Sequence, residues 1–315
     1  MHAQTVTPLT SGTNTSLRGL SVVTDKIIWV SGSHGTIGRS IDNGKTWKWM
    51  IVRGFENVDF RDIEAFSETS AVIMGIASPA YILRTDNGGD AWRVTFENKD
   101  STMFLDAIEF WNEQSGVVIG DPIKGHFFIA RSFDGGLHWR GIPLENYPKA
   151  DSGEALFAAS GTALRKLDNQ EACFVTGGVH SRLFIRDEEI ELPIIQGKET
   201  TGANSIGIKT NKILIIAGGD YTKPDSTFHN CFITKDAGKT WIAPTISPHG
   251  YRSCVEYISK NDWISCGTNG VDYTKDDGNT WTSISNKGFN VCRKAKNGNT
   301  VFLAGSNGTI AMLTF

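Results

Sequence analysis

Short apolar stretches separated by turn residues make up this chain, and one order of stretches returns along its length. In the first unit, residues 18–23, 27–32, 35–40 and 47–52 are alternating or wholly apolar and are bounded by Gly, Asn, Asp and Ser. That is the pattern of four short β-strands. Equivalent units open near Arg61, Asp106, Ser160, Asn204 and Arg252. The last stretch, 289–315, holds three strands, and its residues 304–310 copy residues 31–37. It stops before a fourth strand, and the orphan strand at 5–9 can supply one. The pattern predicts an all-β, seven-bladed propeller of four-stranded blades, its ring closed by the N-terminal strand, which leaves only short, protected edges. A single domain is expected, with blades at 16–52, 60–97, 103–144, 155–194, 200–246, 251–285, and 288–315 joined by 4–10. No stretch has capped helical periodicity. The longer insertions at 144–155 and 220–230 read as loops within blades.

A repeated phrase punctuates these units. Residues 40–47, 85–92, 132–139, 234–241 and 274–281 share the form Ser/Thr-x-Asp-x-Gly-x-Thr-Trp, with Asn87 standing in for the acid in the second. The key positions 42, 87, 134, 236 and 276 step by 45, 47, 102 and 40 residues. The long step therefore spans two repeats, and residues 181–187 occupy the place of a decayed copy. Such a period marks a repeat architecture. In each phrase the acid suits backbone N–H groups of its own turn and the Gly suits a positive φ. The Trp buries a large ring and can still satisfy its indole N–H. Asp42, Asn87, Asp134, Asp236 and Asp276, with Trp47, Trp92, Trp139, Trp241 and Trp281, thus read as structural, at the turn between third and fourth strands. Calcium is the functional alternative, but the spacing lacks the ligand count of an EF-hand loop. Arg39, Arg84, Arg131 and Arg186, just before the turns, read as partners of turn carboxylates packed on sheet edges, with a binding stripe as the alternative.

Composition narrows the function classes. With 34 acidic and 31 basic residues, the chain lacks the basic excess of a nucleic-acid binder. Its longest apolar run, 213–217, is far short of a membrane span. Cys173, Cys231, Cys254, Cys266 and Cys292 show no CxxC and no zinc-ligand spacing. They read as small buried hydrophobes, with a Cys254–Cys292 disulfide as the alternative. No metal and no cofactor are expected. His2-Ala3-Gln4 resembles the end of a cleaved export signal, so a periplasmic or extracellular location is expected; a monomer is expected as well.

Candidate binding residues come from the loops opposite the repeated turns, which surround the mouth of the central channel. Aligning first strands makes Arg18, Arg61, Asp106, Gly161, Asn204 and Ser253 equivalent. Asp62, Glu64, Glu109, Glu154 and Arg252 lie close by in sequence, and the other loops bring His34 and Asp121. Arg18, Arg61 and Arg252 suit an anionic ligand, because Arg offers a bidentate fork to carboxylate or phosphate. The alternative is that these arginines and acids pair with one another and fill the channel.

The repeated phrase is the Asp-box, and the whole chain resembles the bacterial-neuraminidase-repeat propellers. Residues 60–66 (Phe-Arg-Asp-Ile-Glu-Ala-Phe), Gly120-Asp121-Pro122 and residues 153–162 resemble the photosystem II stability/assembly factor group and its bacterial relatives. Those relatives are loosely labelled oxidoreductases or glycosyl hydrolases. The resemblance implies an exported, non-catalytic binding or assembly protein whose partner is a protein or a small anionic or glycan ligand. A sialidase-like glycoside hydrolase is the alternative. It would press Tyr251, Glu154 and Asp62 into service, but the Arg-Ile-Pro phrase of sialidases is absent. An oxidoreductase is the third reading, although no G-x-G-x-x-G opens a helix and no haem or iron–sulfur cysteine motif occurs.

Overall fold

The computed structural model describes residues 4–9, 12–167 and 171–314. The expected export remnant at 1–3 and the blade limits at 10 and 315 lie outside them. The fold is all-β, a seven-bladed propeller of antiparallel sheets. Blade one is Leu17–Val22, Ile28–Gly32, Thr36–Ser40 and Lys48–Ile51, hydrogen-bonded in that order. Blades two, three, four and six repeat this order of four strands. Blade seven takes three strands from Val291–Lys294, Val301–Ala304 and Ile310–Thr314. Its fourth is Thr5–Pro8, which sets Thr5 opposite Thr314 and Pro8 opposite Ala311. Pro8 costs the sheet little there, since an outer strand's missing N–H faces solvent.

Blade five departs from the expected four strands. Thr201–Ile208, Leu214–Asp220 and Cys231–Thr234 pair as expected, but the fourth strand shrinks to a bridge between Ile233 and Ile242. Pro244 and Pro248 follow in the sequence, and proline cannot donate to a ladder. The sheet grows on its inner side instead, through Gly177–Gly178 and then Glu154–Ala155. The 144–155 insertion is therefore not all loop, because its end is tied into blade five.

Inner strands are buried on both faces and outer strands are not. Phe60–Ala65 and Leu105–Phe110 are almost wholly buried, whereas Lys48–Ile51 is largely exposed. The core lies between blades. Leu17, Leu20 and Val30 of blade one pack with Val271 of blade six and Phe289 and Phe302 of blade seven.

The repeated turns are cross-braced. In the first, the Thr46 amide and hydroxyl donate to Asp42 (2.9 and 2.6 Å), and the Gly44 amide donates to Ser40 Oγ (2.9 Å), which itself donates to Asp42 (2.8 Å). These bonds, led by the Thr46 hydroxyl, hold the Asp42 carboxyl down to about 2. Asn87 accepts the same turn amide, from Ala91 at 3.0 Å. Each turn also carries two consecutive left-handed residues, one more than the phrase suggested: Asn43-Gly44, Gly88-Gly89, Gly135-Gly136, Ala237-Gly238 and Asp277-Gly278. Ala237 (φ 64°) is the poorest fit of these, as a Cβ there costs about 1–2 kcal/mol. Ala237→Gly is expected to stabilise the protein by about 0.5–1 kcal/mol after the added chain entropy, read as a rise in urea midpoint.

The tryptophans differ from expectation in one respect. The Trp47 indole donates to Gly44 O (3.1 Å), but those of Trp92, Trp139, Trp241 and Trp281 are buried without an acceptor. Ring packing sets their orientation. Trp92 meets Trp29 edge-on at 6.4 Å and Trp139 meets Phe110 at 5.9 Å, and the burial of such a ring outweighs one hydrogen bond. Of the arginines before the turns, Arg84 pairs with Asp86 (2.6 Å) and Arg186 with Glu171 (3.1 Å). Arg39 and Arg131 lie over Trp29 and Trp111.

Candidate functional site at the channel mouth

First strands enter the ring at the loop side, and four of them carry a β-bulge at entry. The pairing slips by one residue between Leu17 and Gly19, Phe60 and Asp62, Leu105 and Ala107, and Ala203 and Ser205. The extra residues are Arg18, Arg61, Asp106 and Asn204. A fifth bulge, between Gly120 and Pro122, releases Asp121. A bulge re-aims the side chain that it frees from the ladder. Arg18, Arg61, Asp121 and Asn204 line one cavity of about 440 Å³ with Phe157, Tyr221, Tyr251 and Ser253.

The cavity holds both signs of charge. Burial, and then the charge of Arg61, lower the Arg18 pKa. The Arg18 guanidinium donates to Ala159 O at 3.3 Å. Arg61 is held by Asp59 (Nε–Oδ2 2.8 Å), a residue that sequence alignment of the blades did not single out. Burial raises Asp121 to about 6 although its carboxylate accepts the Leu156 amide (2.9 Å). Asp106 lies fully buried behind them. Its pKa is raised well above the carboxylate range by burial and then by Asp121. Two guanidiniums thus face the mouth, Arg61 paired with Asp59 and Arg18 bonded to a backbone carbonyl. One wall is aromatic: Tyr221 is half exposed between Phe157 and Tyr251, edge-on to each at 6.0 and 6.5 Å. The Tyr251 hydroxyl donates to Asn204 (2.8 Å), which fixes that corner.

Other sequence candidates are placed elsewhere. Asp62 points between blades, where its carboxylate accepts the Ile63 and Ile108 amides at 2.9 Å each. Glu154 is buried against Arg182, whose Nε donates to it at 3.0 Å. Arg252 is buried and donates to Asp272 (2.6 Å), Asn269 (2.6 Å) and Tyr251 O (2.8 Å). His34 stands exposed in a left-handed turn (φ 57°). Tyr251, Glu154 and Asp62 therefore do not assemble as a hydrolytic set. Their polar groups are spent on Asn204, on Arg182 and on backbone amides.

Glu64 and Glu109, expected near the mouth, are placed instead at the opposite end. Glu64, Glu109, Arg165, Glu256, Lys294 and Lys296 line a second cavity of about 390 Å³ on the side of the repeated turns. Several of them are the third residue after a mouth position, as in Arg61-x-x-Glu64 and Asp106-x-x-Glu109, and that offset is the signal that marks them. Most are paired internally: Lys296 with Glu64 (2.6 Å) and Arg165 with Glu256.

Fold and mouth together define a seven-bladed β-propeller whose entrance is lined by two arginines and an aromatic wall. No family model and no curated protein matches the chain. Among solved structures it is similar to YCF48 bound to a D1 peptide, with TM-score 0.69 and 15% identity over 100% of this chain and 96% of that one. YCF48 from Cyanidioschyzon merolae gives 0.68 and 16% over 99% and 98%. The WD40 propeller domain of Doa1 gives 0.65 and 13% over 100% and 98%. At such identities the likeness is one of fold. No helix among the described residues is long and apolar enough to cross a membrane.

Proposed function

We propose that this chain is an exported, non-catalytic binding or assembly propeller, and that its mouth cavity takes a carboxylate-bearing segment of a partner protein. The observation that carries this reading is the set of bulges that turns Arg18, Arg61, Asp121 and Asn204 out of the ladder and into one cavity. A peptide carboxylate supplies the ion-pair partner that Arg18 lacks among the described residues, and its two oxygens suit a guanidinium fork. An adjoining apolar or aromatic side chain suits the wall of Phe157, Tyr221 and Tyr251. Peptide binding by YCF48, a protein of the same fold, lends support by analogy.

The test is affinity capture from the native cell envelope, followed by binding of synthetic acidic peptides from whatever is captured. The expected result is that Arg18→Gln and Arg61→Gln each weaken peptide binding about tenfold or more, equivalent to one charged hydrogen bond. Binding by wild type should also fall with added salt. Equal affinity of wild type and both variants would overturn the reading.

A further inference from the structure

Three of the five cysteines meet in the core, although nothing in their spacing suggests it. Cys254 opens the first strand of blade six (Cys254–Ser259), Cys266 lies directly opposite it on Asp262–Gly267, and Cys292 is on Val291–Lys294 of blade seven. Their sulfurs all lie within 4.8 Å of one another, and those of Cys254 and Cys292 are 3.6 Å apart. All three are fully buried and unbonded, while Cys173 and Cys231 lie outside the group.

We propose that Cys254, Cys266 and Cys292 form a three-coordinate thiolate site for a soft monovalent metal ion, of which Cu(I) is the type. A metal–sulfur bond of about 2.3 Å places the sulfurs of a planar three-coordinate site about 4 Å apart. The thiol triangle is close to that size before any metal enters. The ligand set decides the ion. Hard cations need oxygen donors, and the three cysteines belong to an apolar core cluster with Leu17, Leu20, Val271, Phe289 and Val291. Zinc prefers a fourth ligand, and among the described residues no His, Asp or Glu joins the group. Three soft sulfurs in an apolar pocket suit Cu(I). Loading transfers no electrons: the thiols lose their protons to solvent as metal–sulfur bonds form. The bound ion ties blade six to blade seven, the blade that the N-terminal strand completes.

The test titrates intact, reduced protein anaerobically with Cu(I) against a chromophoric Cu(I) chelator. The expected result is one tightly held equivalent, three sulfurs at about 2.3 Å by X-ray absorption, and a Tm that rises on loading. Cys173→Ala and Cys231→Ala should retain the ion, while Cys266→Ala and Cys292→Ala should lose at least a hundredfold in affinity. Should those last two fail to fold, the wild-type sulfur count decides. No retention, fewer than three sulfurs, tighter binding of Zn(II), or a native Cys254–Cys292 disulfide that blocks loading would each overturn the proposal.

Discussion

Arg252→Ala is expected to destabilise the folded protein by about 3–5 kcal/mol, the cost of stranding a buried charge. Arg252 and Asp272 are both essentially solvent-free, and their side chains meet at 2.6 Å. His249 Nδ1 is 2.6 Å from the other carboxylate oxygen, and Asn269 holds a second arm of the guanidinium. Without the guanidinium, the Asp272 carboxylate keeps only the half-exposed His249 and the 249 amide. Urea denaturation measures the loss, and a value below about 1 kcal/mol would show that the carboxylate is relieved by other means. The double variant Arg252→Met, Asp272→Leu removes both charges and is expected to recover much of the loss, since apolar replacements of buried pairs are often neutral. Arg18→Gln serves as the contrast. Its guanidinium makes a single hydrogen bond, to a carbonyl, so its loss should move stability little and ligand binding greatly.

That contrast shows how far the sequence could be read. Blade count and ring closure were legible because each blade repeats the same alternation and the same braced turn. The candidate site was legible only in part. Aligning first strands brought Arg18, Arg61, Asp106 and Asn204 to equivalent positions, and these are the residues that the bulges release. Asp62, one residue beyond a bulge, alternates to the other side of the strand and bonds backbone amides instead. Arg252 and Glu154 were indistinguishable from mouth residues by position, because their partners Asp272 and Arg182 come from other strands 20 and 28 residues away. The thiol group was hidden for the same reason: register across two blades, not spacing along the chain, brings it together.

Glu109 provides the second large effect, at the opposite end of the channel. Burial, and then the charge of Glu64, push its carboxyl up to about 7, against the pull of Arg165, Lys166 and Lys296. In the unfolded chain the group titrates near 4.5. Between about pH 4.5 and 7 the folded protein therefore holds a proton that the unfolded chain has released, and stability falls as pH rises. Well above pH 7 the folded state carries the full penalty, which the shift puts at about 3 kcal/mol. Glu109→Gln keeps the shape and abolishes the titration. It is expected to raise stability at pH 8 by about 2 kcal/mol and to leave it nearly unchanged at pH 4, where wild type is protonated in both states. Asp62 and Asp106, also raised by burial, tilt both proteins in the same direction, so the informative quantity is the difference between variant and wild type across the range. A difference that did not grow with pH would mean that Lys296 and Arg165 leave their partners Glu64 and Glu256 to neutralise Glu109. The charges at this end would then rearrange with pH rather than hold the fixed pairs that now close the channel.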